Sequence, residues 1–241
     1  MTPTMDLAKQ KTTEMLKQSR INSTLIPNQK TISMLVFIGS FWGFTEYFAG
    51  TLIKDSFPDG VTGSILIGLS FFFLASGLFF SKNIYGILIP LAVAIALKIG
   101  WSIISGHALS HPSLINPLFS ILIETAVFIS FYLLFLKKKK KSIAMLIILG
   151  AAGGVLVSLL FPQITAITTL PVCVKLGTNT PLSIYFMNYS IIAGSIALPL
   201  GIKFSAFLKQ YAKMESNKSL TIALNTLSLI FILFALQVFS L

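Results

Sequence analysis

The sequence predicts an all-α integral membrane protein, a bundle of about seven transmembrane helices made of six spans plus a C-terminal one. Of the 241 residues, 55% are hydrophobic and only 10% are charged, whereas soluble domains carry about 25% charged residues. The apolar residues form runs of roughly 20, the length of helix that crosses a bilayer. These runs, such as 65–80, do not alternate with polar residues as the strands of a membrane β-barrel do.

The predicted organisation is a short polar arm followed by one membrane domain. Residues 1–31 are polar and basic, and no small-residue cleavage site follows the first apolar run, so we expect a cytoplasmic arm and not a cleaved signal peptide. Residues 32–241 form the predicted transmembrane helical domain. Its seven spans, separated by turn residues or by charge, are 32–53, 62–80, 84–104, 115–136, 142–161, 182–206 and 220–241.

The distribution of positive charge predicts the orientation of this domain. If the N-terminus is cytoplasmic, fifteen of the 18 Lys and Arg residues fall in inside segments, Lys54 and Lys175 fall outside, and Lys98 lies within a span. Because basic residues collect in cytoplasmic loops, we expect a multi-pass protein of a cell (cytoplasmic-type) membrane with its N-terminus inside. The same rule accounts for the net charge of +11, so the lipid bilayer, and no nucleic acid, is the expected partner.

One outside loop, residues 162–181, is long and unusually apolar. Long loops without regular structure are uncommon and often functional. This loop is either a lid or re-entrant segment over an outward-facing site, or a simple loop at the membrane interface.

Away from the span ends, three charged residues lie within predicted spans: Glu46, Lys98 and Glu124. Each costs roughly 2.5–3.5 kcal/mol on insertion scales, which makes a functional role the first hypothesis. The predicted topology places all three near the middle or in the outer half of the membrane, where they could meet. A cluster of two acids and one base would leave one negative charge to hold a cationic solute, a metal ion or a proton. The alternative is a purely structural ion pair.

Polar and aromatic residues accompany these charges. One turn of helix separates Trp42 from Glu46 and Lys98 from Trp101, and Tyr185, Asn188 and Tyr189 share a face of the sixth span. Aromatic residues near the interface often only anchor a span, but an amide within hydrocarbon needs a partner. The predicted solute-binding residues are therefore Glu46, Lys98, Glu124, Asn188, Trp42, Trp101, Tyr185 and Tyr189.

Motifs of several enzyme classes are absent from the sequence. It contains no GxxxxGK[ST] loop, no HExxH motif and no GxSxG elbow, so we expect neither ATP hydrolysis by a P-loop nor another enzyme activity, and no cofactor. His107 and His111 have the spacing of a metal-binding pair on a helix, but no third ligand is evident. We therefore predict no metal site.

Stripes of small residues mark three of the predicted spans and would let helices approach closely. Internal packing is their usual role, and a docking face for a partner membrane subunit is the alternative. The stripes are Gly39, Gly43 and Gly50; Gly150 and Gly154; and Gly194, Ala197 and Gly201.

Spans one to six, about residues 32–208, resemble the substrate-binding S components of energy-coupling-factor importers. The resemblance lies in size, topology, the loop Pro58-Asp59-Gly60 after the first span, and glycine-rich helices suited to docking a coupling subunit. It implies a transport subunit that binds a small solute in an outward-facing site and takes its energy from a separate ATPase module. The seventh span is an addition to that pattern.

Two other functions stay open at this point. The chain could be a non-transporting accessory subunit of a membrane complex, in which the charges hold helices together. It could instead conduct protons or cations, with Glu46 and Glu124 as a relay.

Overall fold

The chain folds into helices that follow the predicted apolar runs. The computed structural model describes residues 27–49, 57, 60–106, 108, 110–137, 142–163, 167, 173–214 and 217–237. The helices are α1 (Gln29–Phe48), α2 (Val61–Ser81), α3 (Tyr85–Ile104), α4 (Pro112–Phe131), α5 (Ile143–Leu160), α6 (Leu182–Tyr185), α7 (Met187–Met214) and α8 (Asn217–Gln237). A π-helical turn, Tyr132–Leu136, extends α4, and a 3-10 turn, Phe161–Gln163, extends α5. Within the described ranges, β structure is limited to a bridge between Val174 and Pro181.

The all-helical class is confirmed, and six helical segments are long and apolar enough to cross a membrane. They correspond to six of the seven predicted spans, including the C-terminal one. The first predicted span, 32–53, corresponds to α1, which is not among the six. Ten of the 20 residues of α1 are buried in the bundle, and its polar ends, with Lys30 and Glu46, lower its hydropathy. The six segments are Val61–Ser81, Tyr85–Ile104, Leu114–Leu136, Ile143–Gln163, Met187–Lys213 and Lys218–Ala235.

Helix α2 lies at the centre of the bundle and packs against α1, α3, α4, α5 and α7. Its interface with α7 is the most extensive, and α7 in turn packs along α5. On the other side of α2, helix α1 packs between α3 and α8. The core residues with the largest buried side chains include Trp42 of α1, Phe73 of α2 and Phe128 of α4.

Helix α8 is attached to α1 mainly by aromatic side chains. Phe231 lies 6.0, 5.1 and 5.3 Å, ring centroid to ring centroid, from Phe37, Phe41 and Phe44. Because edge-to-face and offset ring pairs stabilise beyond their buried area, this cluster fixes the C-terminal helix to the bundle.

Glycines bring backbones into contact at the interface of α5 with α7. A Cβ at Gly150 would lie 2.1 Å from the Gly194 carbonyl oxygen, and one at Gly154 would lie 2.3 Å from that of Ser190. The internal packing role predicted for these stripes is therefore confirmed. It holds equally for Gly39 and Gly43, which meet α3, and for Gly201, which meets α2, while Gly50 lies outside the described residues.

Two predicted boundaries differ from the structure. The arm 1–31 lies mostly outside the described residues, and α1 already begins at Gln29, where the Asn28 side chain accepts a hydrogen bond from the Thr31 amide at 2.8 Å. The predicted continuous span 182–206 is interrupted at Phe186, whose backbone is not helical, so the long helix α7 begins only at Met187.

Candidate functional site: a cavity with two buried carboxyl groups

A cavity of about 620 Å³ opens at one end of the bundle. Its wall is formed by the C-terminal end of α1, the N-terminal half of α2, residues 116–124 of α4, the 3-10 turn after α5, the start of α7, and the segment 173–183. In the predicted topology all of these chain segments lie toward the outside. Most of the wall is apolar, and the carboxyl groups of Glu46 and Glu124 are its acidic members.

The rim of this cavity depends on a contact between α2 and the break before α7. Gly60 caps α2 with φ +92°, and a Cβ there would lie 2.4 Å from the Phe186 ring. Only glycine combines that backbone conformation with so close an approach. One turn later, the Ser64 hydroxyl donates to the carbonyls of Gly60 and Phe186, both at 3.2 Å. These contacts hold the non-helical Phe186 against two residues of the cavity wall, Gly60 and Ser64.

Glu124 is the more deeply enclosed of the two acids, with 1% of its surface exposed. Its Oε1 accepts a hydrogen bond from the Ser120 hydroxyl, one turn earlier in α4, at 2.6 Å. Its Oε2 is buried and makes no hydrogen bond to any described residue. Ser70 of α2 is near enough to interact with the carboxyl group but does not reach hydrogen-bond geometry. One carboxyl oxygen is thus left without a donor.

Glu46 is also buried, with 3% of its surface exposed, and a positively charged side chain acts on it. Lys98 of α3 acts on it electrostatically. The Trp42 indole is near the carboxyl group as well, although it makes no hydrogen bond of normal geometry. The Lys98 ammonium lies 6.0 Å from the centroid of the Trp101 ring, and Trp101 lies 6.2 Å from Tyr47.

The predicted residues thus divide into three groups. Glu46 and Glu124 line the cavity. Lys98, Trp42 and Trp101 do not line it. Lys98, which is only partly buried, and Trp42 act on Glu46, whereas Trp101 lies beside the Lys98 ammonium. The third group lies away from the cavity wall, and its members are Asn188, which is partly buried, and the exposed Tyr185 and Tyr189.

The position of the third group away from the cavity wall has a physical cause. The break at Phe186 changes the helical phase between α6 and α7, so a face read across 185–189 does not continue along α7. The α7 residue that lines the cavity is Ser190, 1% exposed, with a hydroxyl that has no hydrogen-bond partner among the described residues. Tyr185 is instead covered by the Lys175 ammonium, 3.7 Å from its ring centroid.

Sequence reasoning also missed the hydroxyl groups of the cavity wall. Ser120 could have been found, because it lies four residues before Glu124 and so on the same helix face. Ser183 lines the wall too, and its hydroxyl donates to the Ser158 carbonyl at 3.0 Å. Nothing in its sequence context distinguishes it from other serines of the spans.

The described part of the long apolar loop borders the cavity. Residues 173–181 form a tight turn in which the amides of Lys175 and Leu182 donate to the carbonyls of Thr180 and Cys173, each at 2.9 Å. Cys173 and Val174 line the cavity. This part of the loop therefore borders the cavity, while 164–166 and 168–172 lie outside the described residues.

No group of three or more His, Cys, Asp or Glu side chains comes together within the residues that the structure describes. His107, one member of the histidine pair considered from the sequence, lies outside them. The chain matches no family model, no curated protein and no solved structure.

Proposed function

We propose that this chain is a membrane transport subunit that binds a small solute in the cavity between α1, α2, α4 and α7. The observation that carries the proposal is a cavity of about 620 Å³ with a buried carboxyl oxygen and a buried hydroxyl, those of Glu124 and Ser190, left without partners among the described residues. Unpaired buried polar atoms are costly, so a ligand that supplied hydrogen bonds to these two atoms would be bound favourably in the cavity. Mostly apolar pockets of this size with a few polar groups are typical of small-molecule sites.

The resemblance to S components of energy-coupling-factor importers supports the same function. In such a protein the solute enters from the outside, and a separate ATPase module supplies the energy. The charge asymmetry of the sequence favours an outward position for the cavity, and the turn 173–181 lies where a gate would be needed.

Native mass spectrometry of the purified chain tests the proposal, because it detects a solute that stays bound. The perturbing variant is Gly63→Trp: Gly63 lines the cavity, and a Cβ there would meet no atom within 4 Å, so the backbone has room for a side chain at this position. The matched control is Gly100→Trp in α3, which also meets no atom within 4 Å and does not line the cavity.

We expect a solute on the wild-type chain and on Gly100→Trp, and its loss from Gly63→Trp. Equal retention by both variants would contradict the proposed site. A chain from native membranes that carries no solute, and binds none when incubated with a cell extract of small molecules, would contradict the function.

A further inference from the structure

The two acids of the cavity differ in their electrostatic surroundings. Lys98 attracts Glu46, whereas the one charged group that acts on Glu124, among the described residues, is Glu46 itself, and it repels. Among the described residues, a cation therefore acts on Glu46, and none acts on Glu124. A ligand that carries a positive charge would supply the opposite charge that Glu124 lacks.

The unpartnered polar atoms of Glu124 and Ser190 in the cavity wall can each accept a hydrogen bond from a ligand. Glu124 Oε2 can only accept when ionised, and the hydroxyl of Ser190 can accept as well. Both residues are 1% exposed and both line the cavity. An N–H bond of a cationic group matches this pair of acceptors, and charge-assisted hydrogen bonds of this kind are the strong ones.

The rest of the wall narrows the class of cation. Leu66, Ile67, Ile121 and Leu182 present apolar surface, which suits a hydrocarbon body and not a hydrated ion. A metal ion would need several oxygen ligands at short range, and no cluster of three acidic, His or Cys side chains is found in the described part of the chain. Phe161 is the single aromatic side chain among the described residues of the wall, so the cage that holds a quaternary ammonium is lacking there.

We propose that the solute is a small primary or secondary amine, protonated, with an apolar body, and that its ammonium group donates hydrogen bonds to Glu124 Oε2 and Ser190 Oγ. This inference rests on the proposed function and names its substrate class. Lys98 has a different role, because it balances Glu46, so that the cavity accepts one positive charge and not two.

A series of matched probes tests this class on the full chain in lipid nanodiscs at pH 7. The amines are n-butylamine, n-hexylamine, cyclohexylamine and 2-phenylethylamine. For the best of them, the corresponding alcohol removes the charge, and the N,N,N-trimethyl analogue keeps the charge but removes the N–H donors. Binding is measured by isothermal titration calorimetry. We expect at least one amine to bind at least ten-fold more tightly than both analogues.

Variants then assign the contact. We expect Glu124→Gln to weaken the amine by at least ten-fold and Ser190→Ala by several-fold. Ser40→Ala is the matched control, because Ser40 is also fully buried with an unpartnered hydroxyl but does not line the cavity. Gel filtration and thermal unfolding of each variant distinguish loss of binding from loss of folding. Ser120→Ala removes the hydrogen bond to Glu124 Oε1 but not the charge of Glu124, so this variant should keep the preference for the amine over the alcohol.

Three results would overturn the inference: no amine of the series binds, the trimethyl analogue binds as well as the amine, or Glu124→Gln binds as well as the wild type. If any of these occurs while a solute is still lost from Gly63→Trp and kept by Gly100→Trp, the amine class is wrong and the proposed function stands. If no solute is found on any variant and no amine binds, both are wrong.

Discussion

Replacing Gly150 by alanine should separate α5 from α7. The added Cβ would lie 2.1 Å from the Gly194 carbonyl oxygen and 2.6 Å from its carbonyl carbon, whereas ordinary contact begins at 3.4 Å. The obstructing atoms are backbone and cannot rotate aside, so the helices must move apart by roughly 1 Å. Overpacking of this kind costs about 1–3 kcal/mol, and the higher helix propensity of alanine returns up to ~1 kcal/mol. We expect a net loss of up to about 2 kcal/mol.

Gly100→Ala is the control for this change. No atom lies within 4 Å of a Cβ at Gly100, so only the gain in helix propensity applies, and the variant should be as stable as the wild type or slightly more so. The free energy of unfolding is measured by denaturant titration of both variants in the same detergent. If Gly150→Ala is as stable as wild type, or if Gly100→Ala loses as much, the backbone contact between α5 and α7 is not what the geometry indicates.

Three further predictions concern charge and topology. Lys98→Met should lower the free energy of unfolding by about 2 kcal/mol, a value between those for exposed and buried ion pairs. Adding Glu46→Gln should restore most of this stability. Additive losses in the double-mutant cycle would mean that the two residues are not coupled. Cys173 is the one cysteine of the chain and is exposed. It should react with an impermeant maleimide outside intact cells, whereas Ser142→Cys in a Cys173→Ser background should not. Labelling at residue 142 would mean that the orientation is the reverse of the predicted one. A tag after Leu241 should be extracytoplasmic, as protease accessibility would show, and a protected tag would mean that α8 does not span.

The helices could be predicted from the sequence because each is an uninterrupted apolar run with turn residues or charge at its ends. The start of α7 could not. Residues 182–206 read as one apolar segment, and only the three-dimensional contact of Phe186 with Gly60 and Ser64 explains why the helix breaks there. Because of this break, Asn188 lies away from the cavity wall and not in the lining position predicted for it.

The acidic part of the site could be predicted because buried charge is expensive in a membrane, whatever the fold. The cost of insertion identified Glu46 and Glu124 from the sequence alone, and the structure brings both to one cavity. The serines could not be found in this way, since a serine can satisfy its own hydroxyl on the carbonyl four residues earlier, as Ser76 and Ser195 do at 2.6 and 2.7 Å. Which serine keeps a free hydroxyl is decided by packing.

The glycine contacts divide the cavity wall into parts of unequal stiffness. Helices α2, α5 and α7 meet through backbone atoms at Gly68, Gly150, Gly154 and Gly201, and backbones in contact cannot slide without breaking that fit. Helix α4, which carries Glu124, packs against α2 and α5 over smaller interfaces. The carboxyl group of Glu124 thus lies on the less tightly packed wall of the cavity, opposite the tightly packed wall formed by α2 and α7. For the proposed solute site, we expect any adjustment to solutes of different length to come from movement of α4, while the wall near Ser190 keeps its shape.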